Sequence, residues 1–164
     1  MPDVTPPSPA PNAPSGETQP VFSEKLWPAW WIWLVSVGLS GAGILVFAPI
    51  SITAGIIAAA VIFAIIATML ALSTPRISVT PETLQVGRAS IERRFVGTVR
   101  TFRGEEATAE RGTRLNATAF LCIRGWIDPV VRIEITDPAD PTPYWLASTR
   151  RPEELAAALG TPPA

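Results

Sequence analysis

Residues 26–75 read LWPAWWIWLVSVGLSGAGILVFAPISITAGIIAAAVIFAIIATMLALSTP, fifty consecutive positions without one Asp, Glu, Lys or Arg. A helix of about 20 apolar residues crosses a ~30 Å hydrocarbon core, so this block fits two crossings joined by a tight turn. The first span is placed at about residues 29–48 and the second at about 50–72. Pro49 supplies the break between them, and a proline can open a helix because its missing N–H has no partner there anyway. The second span carries eleven Ile, Leu, Val or Phe residues and no opposing charge. The first is weaker, with Ser36, Gly38, Ser40, Gly41 and Gly43 in it. Small residues one turn apart (Ser36/Ser40, Gly38/Ala42) let another helix approach closely, and Ala54/Ala58 and Ala60/Ala64 offer matching surfaces. The two helices are expected to pack on each other as a hairpin; a seam between two copies of the chain is the competing use of the same residues.

Just ahead of this block, Trp27, Trp30, Trp31 and Trp33 crowd into seven residues beside Glu24 and Lys25. Tryptophan favours the headgroup level, where the ring is buried and the N–H stays wet, so the cluster marks a membrane–water boundary. Lys25 precedes the first span, while Arg76, Arg88, Arg93 and Arg94 follow the second and the turn holds no charge. The excess of basic residues on the outer flanks places both termini in the cytoplasm and the chain in the plasma membrane as a multi-pass protein.

Outward from the block, residues 1–21 form a tail with seven prolines in its first twenty positions and no apolar periodicity; it is expected to be disordered. Residues 22–75 are assigned to the hairpin and 76–160 to one small cytoplasmic β-rich domain, with 161–164 as a short tail. Within that domain Ile77–Val79, Leu84–Val86, Ala89–Ile91, Val96–Phe102, Ala117–Arg124, Val130–Thr136 and Tyr144–Ser148 alternate as strands, and the polar stretch Arg103–Arg114 reads as a loop. Pro152, Glu153 and Glu154 begin a short C-terminal helix whose Leu155 and Leu159 must face the sheet, and Gly160 ends it. This order of antiparallel strands closed by one helix resembles the pleckstrin-homology-like split barrel.

Several stretches resemble a known group. They are Glu24-Lys-Leu-Trp-Pro28, the two spans, Ile77-Ser-Val79 with Leu84-Gln-Val-Gly87, Arg124-Gly-Trp-Ile127, and Asp137-Pro-Ala-Asp-Pro-Thr-Pro-Tyr-Trp-Leu-Ala-Ser-Thr-Arg-Arg-Pro152. The group is the actinobacterial membrane family catalogued as domain of unknown function 3093. The resemblance covers roughly Phe22 to Gly160 and implies a small inner-membrane protein, without supplying catalytic residues.

The chemistry legible in the 164 residues is sparse. There is no histidine and only one cysteine, Cys122, so the usual proton shuttle near neutral pH, an internal disulfide and a Cys/His zinc set are all excluded. Cys122 reads as a small buried hydrophobe. Asp128, Asp137 and Asp140 lie beside prolines, as turn residues do, and are not assigned to a metal. The net charge of −1 and the lack of a basic stripe with interleaved aromatics exclude a nucleic-acid partner. Arg88, Arg93 and Arg94 are candidates for contact with anionic lipid, set against a simple solvated face of mixed charge. Arg124, Trp126, Trp145 and Arg150 are the candidate patch for a partner or ligand, since arginine and large aromatics concentrate at binding surfaces. Tyr144 and Trp145 alternate on one strand, so one is expected inside and the other exposed. The expectation is a cofactor-free, non-enzymatic, membrane-tethered module with membrane lipids or another membrane protein as partner. A structural hairpin subunit of a membrane complex is the alternative, and an enzyme on a membrane substrate is a third.

Overall fold

A computed structural model of the chain describes residues 19–160. The expected proline-rich tail, apart from residues 19–21, and the C-terminal residues 161–164 lie outside them. In chain order the elements are β1 (Phe22–Lys25), α1 (Trp30–Phe47), α2 (Ile52–Leu72), β2 (Arg76–Val79), β3 (Thr83–Val86), β4 (Ala89–Glu92), β5 (Val96–Phe102), α3 (Gly104–Arg111), β6 (Phe120–Cys122), β7 (Val130–Ile135), β8 (Tyr144–Ser148) and α4 (Pro152–Ala158).

The apolar block forms the two expected helices. At ~1.5 Å per residue, α1 and α2 are about 27 and 32 Å long, so both are long and apolar enough to cross a bilayer. A core helix of a soluble protein would bury one whole face. Here only Ser36, Ser40 and Gly43 of α1 and Gly55 of α2 are buried. Those four mark the seam along which the helices pack on each other. The Ser36 and Ser40 hydroxyls donate to the carbonyls of Ile32 and Ser36, each at 2.7 Å, so neither serine brings an unsatisfied group into the seam. A Cβ at Gly55 would stand 3.1 Å from the Ile44 backbone. Of the expected small-residue pairs, Ser36/Ser40 faces the seam and Ala54/Ala58 is half-buried, whereas Gly38, Ala42, Ala60 and Ala64 are exposed. Pro49 sits in the turn rather than at the head of α2, whose N-cap is Ser51, accepting from the Ala54 N–H at 3.4 Å.

The strands make two sheets of four, ordered β1-β2-β3-β4 and β5-β7-β8-β6. The first is antiparallel throughout; in the second β6 runs parallel to β8. Among the described residues neither sheet closes on itself or on the other through backbone pairing; the strands form two open sheets around a common core. Phe22, Ile77, Val79, Leu84 and Val86 from one sheet meet Val131, Ile133 and Trp145 from the other, and Leu155 and Ala156 of α4 seal the edge.

Three further corrections follow. Phe22–Lys25, assigned to the hairpin by sequence, is a strand of the first sheet, paired antiparallel with β2 in the register Phe22↔Val79 to Lys25↔Arg76. The β-domain is therefore discontinuous, and α1–α2 is an insertion between two neighbouring strands. The stretch Arg103–Arg114, expected as a loop, contains α3, which covers the outer face of the second sheet with Ala107 against Val130, Tyr144 and Leu146. Because β8 is thereby covered on both faces, Tyr144 and Trp145 are both buried, against the expectation that one would be exposed.

Candidate functional site

The insertion fixes where the chain's distinctive side chains gather. β1 leads into α1 and α2 leads into β2, so both helices leave the domain at the paired ends Lys25 and Arg76. At this junction Glu24 points inward and is 7% exposed. The Thr149 hydroxyl donates to Glu24 Oε2, and the Arg150 backbone N–H donates to Oε1 at 3.0 Å. Thr149 in turn accepts from the Arg151 N–H at 3.1 Å, which shapes the turn from β8 into α4. The Arg151 guanidinium lies 4.7 Å from the Phe22 ring centroid and donates to Ser23 O at 2.7 Å. The segments Glu24–Pro28 and Ser148–Pro152 thus form one clasp.

The clasp continues onto the helix ends. Arg150 Nη2 and Trp126 Nε1 both donate to the Trp27 carbonyl, at 2.6 and 3.1 Å, just before α1. Arg124 Nη2 donates to the Ser73 carbonyl at 2.7 Å, just after α2. A helix leaves its last carbonyls without internal partners and its C-terminal end partially negative, so a guanidinium there satisfies both hydrogen bonding and charge. Of the candidate patch, Arg124, Trp126 and Arg150 are therefore brought together, and they hold the chain's own helix ends. Trp145 does not join them; it is 4% exposed in the core, its ring 5.2 Å from that of Phe120.

The three arginines expected at lipid divide. Arg93 is half-buried and donates to Ala158 O at 2.7 Å and Thr80 O at 3.4 Å, fastening the end of α4 to the first sheet. Arg94 is exposed and paired with Glu92 at 2.9 Å. Arg88 is exposed in the β3–β4 turn, with no carboxylate partner among the described residues. Of the four tryptophans expected at a membrane boundary, Trp27, Trp30 and Trp31 are exposed around the start of α1, with Lys25 Nζ 4.2 Å from the Trp27 ring centroid. Trp33 instead turns toward α2, 6.4 Å from the Phe63 ring.

Beside the α2 exit lies a cavity of about 460 Å³ between the helix end, the β3–β4 turn and β6. Arg76, Arg88 and Arg124 line it together with Leu72, Phe120 and Leu121, and no carboxylate borders it. Arg124 Nε is buried and has no acceptor among the described residues.

The remaining reactive side chains serve the fold. Asp128 accepts from the Gly104 N–H at 2.8 Å and pairs with Arg111 at 3.2 Å, anchoring the first turn of α3. That N–H first, and the Arg111 guanidinium after it, hold its carboxyl below the ordinary aspartate range. Asp137 and Asp140 accept from the N–H groups of Ala139 and Thr142, as turn residues. The Thr142 hydroxyl and N–H lower the Asp140 pKa. Arg103 forks onto Glu153 at 2.7–3.1 Å, tying β5 to α4 and lowering the Glu153 pKa. Cys122 is buried; desolvation pushes its thiol pKa up, and the nearby Arg124 charge offsets this only in part. Among the described residues no group of three or more His, Cys, Asp or Glu side chains is placed to share a metal ion.

Sequence reasoning missed Glu24, Thr149 and Arg76 as site residues. The available signal was that Glu24 and Thr149 lie inside the two motif segments, neither of which needs such side chains for a generic strand or helix start.

A family model described as "Protein of unknown function (DUF3093)" matches residues 21–159. No curated protein and no solved structure matches the chain.

Proposed function

The chain belongs to the DUF3093 family of proteins of unknown function, and from its geometry we propose a membrane-tethered, non-catalytic interaction module, held at the bilayer surface to engage anionic lipid or another membrane protein. The pairing of β1 with β2 carries this reading. Strands that pair must lie on the same side of a bilayer, so the segment between them crosses an even number of times. Two helices of spanning length with almost no buried surface fit that requirement as a hairpin. The exposed Trp27, Trp30 and Trp31 fall at the entry end, where an aromatic belt belongs. Lys25, Arg76, Arg88, Arg93 and Arg94 sit on the domain side and the turn at residues 48–51 has no charge, a distribution that supports a cytoplasmic domain with both termini on the same side. Fastening the domain to both helix ends concentrates it at the surface, so weak contacts suffice for engagement. Binding rather than catalysis is favoured because the chain has no histidine and its buried carboxylates Glu24 and Glu110 are engaged by the chain's own donors.

The test is a pair of reporter fusions, alkaline phosphatase or green fluorescent protein after residue 164, expressed in bacteria. The phosphatase fusion is expected to be inactive and the fluorescent one bright. Strong phosphatase activity with a dark fluorescent fusion would overturn the topology. A second reading, a structural hairpin that assembles with other membrane helices, is favoured by the open face at Gly38 and Gly41, where nothing lies within 4 Å of an added Cβ.

A further inference from the structure

The cavity beside the α2 exit has both cationic and apolar residues in its lining. Part of the lining is cationic: Arg76, Arg88 and Arg124 border it, and none of the three is paired with a carboxylate among the described residues. Part is apolar: Leu72, the last residue of α2, is 81% exposed, Leu121 is 44% exposed, and Phe120 also borders the cavity. Neighbouring guanidiniums repel one another, and an anion between them relieves the repulsion while accepting forked hydrogen bonds. Arg124 is held in place beside the cavity because both terminal nitrogens donate, to Ile123 O and Ser73 O.

We propose that this cavity binds the phosphate of an anionic phospholipid, the arginines taking the phosphate oxygens and the Leu72–Leu121 side meeting the glycerol and first acyl carbons. The proposal rests on the hairpin crossing a membrane, since that reading puts the end of α2 at headgroup depth. A free phosphate would use the arginines alone, and it is the apolar lining at the helix exit that selects a lipid. In this proposal Arg88 acts with Arg76 and Arg124 rather than with Arg93 and Arg94.

The experiment titrates phosphatidylglycerol or phosphatidylcholine into the full-length chain in neutral detergent micelles and counts bound lipid by native mass spectrometry. Phosphatidylglycerol is expected to bind preferentially. The Arg76→Gln/Arg88→Gln variant should weaken it roughly thirtyfold, as loss of two surface cations implies. Both side chains are exposed, so the variant should keep the parent's near-ultraviolet circular dichroism. Arg100→Gln, an exposed arginine away from the cavity, should leave binding unchanged. Equal binding of the two lipids, or unchanged phosphatidylglycerol binding by the double variant, overturns the site. Displacement of the lipid by equimolar glycerol 3-phosphate overturns the lipid as ligand in favour of a soluble phosphate. Retention of the chain in carbonate-washed membranes is scored separately, so a membrane-embedded chain without lipid preference refutes the cavity proposal and leaves the topology standing.

Discussion

Glu24 is a buried carboxylate with no cation within ion-pair distance among the described residues, and its two oxygens are occupied by the Thr149 hydroxyl and the Arg150 N–H. Removing it leaves both donors short of an acceptor in a buried place, at ~1–3 kcal/mol for each. Glu24→Ala is therefore expected to destabilise the detergent-solubilised chain by about 2–6 kcal/mol, with Glu24→Gln, which keeps one acceptor, losing less. Chemical unfolding followed by near-ultraviolet circular dichroism reads the difference, and an alanine variant as stable as the parent would refute the clasp. At this scale the sequence reveals residue type far better than partner. Arg93 looks like a free cation because its acceptor, the Ala158 carbonyl, is 65 positions away. Trp145 looks half exposed because alternation presumes that one sheet face is wet, and here α3 covers the second face.

Among the elements, α1 and α2 are the most legible, since fifty uncharged residues admit few other structures. Their seam is less so, because small residues point in every direction around α1 and only contact shows which are used. Gly55→Val would push a side chain into the Ile44 backbone, an overpacking cost of about 1–3 kcal/mol. Gly38→Leu projects into open space and should leave the hairpin itself intact. The thermal aggregation temperature in detergent is expected to fall for Gly55→Val and hold for Gly38→Leu; the reverse order would mean the helices pack on other faces. If Gly38→Leu also dissolves an oligomer on native gels, the structural-subunit reading gains over the module. α3 escaped notice for a physical reason: its buried residues are Ala107 and Glu110, so it has no apolar stripe, and it is held by polar contacts from Asp128 and Arg132. β1 escaped similarly, because its second inward residue is Glu24, which makes a strand of period two read as a polar approach to the helices.

At the scale of the whole molecule, the strands, the hairpin and the C-terminal helix are local patterns and are legible one by one. Their assembly is not, since a list of short strands and one helix suits several two-layer packings. The joining of residues 22–25 to residues 76–79 across the hairpin leaves no local trace at all, yet it makes the domain and the hairpin a single unit with both helix ends clasped. Such a unit leaves apolar faces of α1 and α2 exposed, and the proposed membrane hairpin covers them with lipid. Lysed cells expressing the full-length chain, washed with alkaline carbonate and ultracentrifuged without detergent, measure this directly. The chain is expected entirely in the membrane pellet, and its recovery in the supernatant as a dispersed protein would contradict the membrane hairpin from which the function is inferred.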